Sequence, residues 1–65
     1  MTLQGLKEFA LTTLEKLKRN NRSKPYIEGQ LAGIFKMWRE LRNESMGSEE
    51  YEEYLDVFMD VLDQI

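Results

Sequence analysis

Chemistry in a protein begins with side chains that can hold a proton, a metal or a nucleophilic lone pair, and this chain is poor in them. Its 65 residues include no His and no Cys, so the usual ligands of zinc and haem are missing. Nucleophilic catalysis would fall to Ser23, Ser45, Ser48, Thr12, Thr13, lysines and carboxylates. No serine sits in a G-x-S-x-G or S-x-x-K arrangement, the contexts that expose and activate a serine hydroxyl. Ser23 and Ser48 instead precede candidate helices, where a hydroxyl accepts from an orphan backbone N–H. An enzyme-sized pocket of a few hundred Å³ would also empty most of so small a core. The expectation is a non-enzymatic protein with no cofactor and no metal.

The residues able to act without catalysis are the charged ones, and they are sorted along the chain. All nine Lys and Arg fall between Lys7 and Arg42, whereas residues 43–65 carry eight acids and no base; the net charge of −3 conceals this division. Lys16, Lys18, Arg19, Arg22 and Lys24 place five bases in nine residues, a density that can neutralise nucleic-acid phosphates. Cations also belong at a helix C-terminus, where they offset the dipole, and no aromatic interleaves this run to stack bases. In the acidic part, Glu49, Glu53, Asp56 and Asp60 share one arc of a helical wheel with Glu52 and Asp63. That arc can meet a basic protein surface or imitate a nucleic-acid backbone, and it is equally an ordinary solvated face. It lacks the loop spacing of a calcium site, and as a recognition helix it would offer only acids to a DNA groove.

The elements that carry these residues follow from apolar period. Leu3, Leu6, Ala10, Leu14 and Leu17 step by three or four, which is helical. Thr2 can cap the start and the stretch Asn20–Ser23 reads as the stop, predicting a helix over about 3–19. Ser23 before Lys24 and Pro25 starts a second helix over about 24–43. Its seam reads Ile27, Leu31, Ile34, Trp38 and Leu41, widened by Tyr26, Phe35 and Met37 to an apolar arc of about 180°, more than one neighbour requires. Gly29 and Gly33 in the same helix leave ground without side chains where another helix can approach. Gly47 breaks the pattern, Ser48 reads as an N-cap, and Tyr51, Leu55, Phe58, Leu62 and Ile65 predict the seam of a third helix over about 49–65, flanked by Tyr54, Met59 and Val61.

Three helices with short links predict one domain over residues 1–65, an all-α up-down-up three-helix bundle. The competing arrangement is a helical hairpin completed by dimerisation. No secretory signal pattern opens the chain and no apolar run approaches the roughly 18 residues of a membrane span, so the expected location is the cytoplasm. A small, cysteine-free, charge-sorted helical chain is the type common in bacteria and their phages. The expected function is that of a protein-interaction module that binds and modulates a larger protein or self-associates as a homodimer, with no membrane partner. Its contacts would come from Phe9 and Leu11, which flank the first helical stripe, and from Glu49, Glu53, Asp56 and Asp60. The alternatives are a nucleic-acid accessory protein using Lys16, Lys18, Arg19, Arg22 and Lys24, or an acidic nucleic-acid mimic acting through the third helix.

Overall fold

The computed structural model describes residues 2–42 and 46–65. Within them the chain forms α1 (Leu3–Arg19), α2 (Lys24–Arg42) and α3 (Ser48–Leu62), all packed on one another in a three-helix bundle of 37 × 18 × 18 Å. α3 closes the core within one chain, so the hairpin alternative is not the arrangement seen. The expected end of α2 at Asn43 and the candidate hydroxyl of Ser45 lie outside the described residues.

Helix boundaries follow local capping chemistry. The Thr2 hydroxyl accepts from the Gly5 N–H at 3.0 Å and starts α1. α1 stops because Asn21 turns into the left-handed region at φ 56°, a conformation Asn tolerates better than most residues. There the Arg22 N–H bonds the Leu17 carbonyl at 3.2 Å and the Asn21 N–H bonds Lys18 at 3.1 Å, the paired bonds of a Schellman motif. The Ser23 hydroxyl accepts from the Tyr26 N–H at 3.4 Å at the start of α2. At α3 the expectation needs correction. Gly47, not Ser48, occupies the N-cap, with extended backbone and no side-chain cap bond, and Ser48 is the first helical residue.

The core comprises Leu6, Ala10 and Leu14 of α1, Ile27, Leu31, Phe35 and Trp38 of α2, and Tyr54 and Val61 of α3. The α1 stripe is the one predicted. The other two seams are rotated from their predicted positions. In α2, Phe35 is buried, Ile34 is half-buried and Leu41 stands in solvent; in α3, Tyr54 and Val61 are buried while Leu55 is exposed. In this rotation the acidic arc of α3 stays in solvent. At about 100° per residue, Tyr54, Phe58, Val61 and Ile65 lie diametrically opposite the centre of Glu49, Glu52, Glu53, Asp56, Asp60 and Asp63.

Aromatic rings join α2 to α3. Tyr54 stacks on Trp38 at 5.7 Å and meets Phe35 edge-on at 5.8 Å, and Phe58 lies 4.7 Å from Phe35. Such pairs add about 0.5–1.5 kcal/mol each beyond their buried area. A paired measurement distinguishes the observed α3 seam from the predicted one. Val61→Ala should destabilise the fold by about 1.5–2.5 kcal/mol through lost burial and a residual cavity, and Leu55→Ala should stay within about 0.5 kcal/mol. Urea unfolding followed by circular dichroism reads both, and equal effects would contradict this rotation.

Candidate interaction surface

The rotation of α2 has a consequence on the outside of the bundle. With Phe35 turned inward, Met37 and Leu41 emerge on the flank of α2 next to α1. There they meet Phe9, and with Leu6, Ile34 and Trp38 they line a cleft of about 300 Å³ open to solvent. Phe9 is 50%, Met37 63% and Leu41 81% exposed, and all six lining residues are apolar. Single exposed apolar side chains are ordinary; a contiguous group around a concave floor is the signature of a contact surface. The floor is rigid, because Trp38 presents one part of its ring to the cleft while Tyr54 stacks behind it.

Phe9 therefore stands where a partner contact was expected, and Leu11 does not join it. Leu11 is half-buried and packs against the core. Met37 and Leu41 are the surface residues that periodicity missed. Leu41 completes the predicted core seam, yet it also ends a second stripe of Tyr26, Gln30, Gly33, Met37 and Leu41 at spacings of 4, 3, 4 and 4. That parallel stripe was the available signal.

The acidic residues lie on a different side. Glu49, Glu53, Asp56 and Asp60 are all exposed on the outward face of α3. Because the three helices pack on one another, that face points away from the cleft between α1 and α2. Asp60 pairs with Lys7 at 4.0 Å. Glu53 and Asp56 join Leu3, Gln4 and Val57 around a second, more polar hollow. Among the described residues no group of three or more potential ligands is arranged to hold a metal ion, and no helix is long and apolar enough to cross a membrane.

The five bases gather where α1 ends, α2 begins and α3 finishes, and several are engaged. Lys18 donates to the Gln64 carbonyl beyond the last turn of α3, Arg19 pairs with Glu15 at 2.5 Å, and the Arg22 guanidinium lies 5.0 Å above the Tyr26 ring. Lys16 and Lys24 are exposed. At the opposite end Arg42 pairs with Glu50 of α3 and sits 5.3 Å over the Trp38 ring, while Arg39 covers Tyr51 at 5.0 Å. The remaining hydroxyl candidates are tied to backbone: Thr12 donates to the Glu8 carbonyl and Thr13 to that of Phe9, both at 2.9 Å.

Fold and surface together define a small helical bundle with an apolar cleft and a segregated acidic face. In comparisons with known proteins, no family model, no curated protein and no solved structure matches the chain.

Burial raises the Tyr54 phenol above its ordinary value of 10.0; Arg39 opposes the shift and Tyr51 adds to it. The ring behind the cleft floor is thus a pH-sensitive support. Below pH 10 the phenol is neutral in both states and its contribution is complete. As pH rises past that point the unfolded chain ionises first, so stability falls until the folded-state pKa is passed. Wild-type protein should lose stability above pH 10 more steeply than Tyr54→Phe, as measured by denaturant midpoints between pH 8 and 11. Parallel curves would show that Tyr54 is not the cause.

Proposed function

We propose that this chain is a non-enzymatic protein-interaction module whose working surface is the cleft between α1 and α2. The observation that carries the reading is the contiguity of Phe9, Met37 and Leu41 over a floor of Leu6, Ile34 and Trp38. A groove between two helices takes the apolar side of a third, read as anchors at i, i+3 or i+4, and i+7. The cleft is large enough for one or two bulky side chains, and Phe9, half exposed at its rim, supplies aromatic contact area of the kind typical of binding hot spots. The acidic face of α3, on the other side of the bundle, keeps a cleft-bound partner clear of like charge and leaves a second surface for basic partners.

Selection from a displayed library of helical peptides tests this directly. Enriched peptides should carry two or three apolar anchors at helical spacing and lose at least about tenfold in affinity, roughly 1.4 kcal/mol, against Met37→Lys/Leu41→Lys. Both positions are exposed, so the variant should keep its helicity. Peptides that bind the double variant as tightly as the parent would overturn the assignment of the cleft, and a selection without enriched binders would overturn it as well.

A further inference from the structure

The two glycines of α2 have no explanation inside the chain. Neither has a positive φ, and a Cβ built on Gly29 or Gly33 would meet nothing within 4 Å. Each weakens a helix interior relative to Ala, so both are penalties without an intramolecular gain. Gly33 lies at the middle of the exposed stripe Tyr26, Gln30, Gly33, Met37 and Leu41, and Gly29 lies just beside it. A missing side chain at the centre of an apolar stripe is what a close helix–helix crossing needs, because it lets two backbones approach.

We propose that a second copy of this chain covers the stripe, with α2 packing antiparallel on α2 across a two-fold axis at Gly33. The inference rests on the cleft being the interaction surface and names its occupant. Pairing Gly33 with Gly33 brings Tyr26 of each copy level with Glu40 and Leu41 of the other. The Tyr26 ring then enters the cleft formed by Phe9, Met37 and Leu41, and two identical key-and-cleft contacts form about the axis, as an isologous interface requires. Charge fits the same register. Arg22, held over Tyr26, arrives beside Glu40 of the second copy. The acidic faces of the two α3 helices point outward on opposite sides of the pair, so two chains of net charge −3 meet without bringing those faces together.

The available area is consistent with a modest dimer. Phe9, Tyr26, Met37 and Leu41 are 50, 43, 63 and 81% exposed, which for side chains of roughly 150–250 Å² leaves about 450 Å² uncovered. That is over half of the roughly 800 Å² each partner contributes to a standard interface, and Gln30, the glycine track and the Arg22–Glu40 contacts extend it. A reversible dimer dissociating in the micromolar to millimolar range follows.

Sedimentation equilibrium of the full chain from about 5 µM to 1 mM should show the mass rising from 7.7 kDa toward twice that value. Gly33→Leu sharpens the test because its two effects have opposite signs. It should raise the stability of the single chain by improving helix propensity, yet weaken dimerisation at least about tenfold by filling the crossing. Tyr26→Ala should weaken dimerisation comparably without loss of helicity. Since the natural chain has no Cys, Gly33→Cys should oxidise to a linked dimer much faster than Glu52→Cys on the outer face of α3. A mass fixed at 7.7 kDa to 1 mM, undiminished association of Gly33→Leu, or equal cross-linking of the two cysteine variants would overturn the proposal. If the chain stays monomeric while selected peptides still require Met37 and Leu41, only the second-copy assignment fails. If it dimerises unaffected by Met37→Lys/Leu41→Lys, the cleft assignment fails with it.

Discussion

The stack of Tyr54 on Trp38, with Phe35 meeting the same ring edge-on, is the contact on which the rest of this molecule turns. A chain of this size hides only about 60% of its extended surface on folding, so each large side chain must be used where it buries most. Tyr54 fills the space between α2 and α3 and fixes the rotation of α2 by drawing Phe35 and Trp38 inward. Once those two point at α3, geometry leaves Met37 and Leu41 nowhere to go but the flank beside α1. The cleft is thus a by-product of the core. Trp38 belongs to both, which makes the outer surface as rigid as the interior behind it.

Electrostatics trims this arrangement without holding it together. Lys18 reaches the carbonyl of Gln64 near the negative end of α3, and Glu50 in the first turn of α3 takes Arg42 from the last turn of α2. Both placements suit the helix dipoles. Lys7 with Asp60 and Arg19 with Glu15 are exposed pairs of the kind that contributes about 0–1 kcal/mol each. The acids of α3 matter more as a prohibition than as attractions. Six carboxylates share one arc of α3 opposite Tyr54 and Val61, so the rotation that buries those two keeps the whole arc in water. The sorting of bases into the first two helices and acids into the third therefore has a structural use before any partner is considered.

These two constraints explain which features could be read from the chain alone. Helix ends are local: Thr2, Ser23 with Pro25, and Asn20 with Asn21 act on neighbouring residues, and both ends of α1 and the start of α2 follow from them to within a residue. Rotation about a helix axis is not local. α2 carries two overlapping stripes at helical spacing, one through Ile27, Leu31 and Trp38 and another through Tyr26, Gly33, Met37 and Leu41, and periodicity alone assigns Leu41 to the first. Only the aromatic fit across to α3, a property of two elements together, decides between them. Ser48 was misassigned for a smaller reason: a serine and a neighbouring glycine are both acceptable N-caps, and no side-chain bond at Ser48 breaks the tie. The exposure of Phe9 was legible because it departs from a clean stripe, whereas that of Met37 and Leu41 was hidden by their belonging to a plausible one.

Exposed apolar residues are informative here because of where the chain is wasteful. In a bundle with nine buried apolar residues among those described, leaving Met37 and Leu41 in water forgoes much of the about 1.5–3 kcal/mol that full burial of each side chain contributes. Two interior glycines in the same helix forgo about 1 kcal/mol each. For a domain of marginal stability these are large concessions, and they fall on adjoining parts of the outer surface of α2. The buried side of that helix is packed against both neighbours, and Arg39 and Arg42 lie over the rings of Tyr51 and Trp38. Leu55 and Met59 of α3 are exposed as well, but exposed apolar side chains and interior glycines coincide on this surface of α2, which is the expected mark of a contact that fold stability does not require. The cleft bounded by Phe9, Met37 and Leu41 and the bare backbone at Gly33 adjoin on that surface, as the proposed helix-on-helix contact requires.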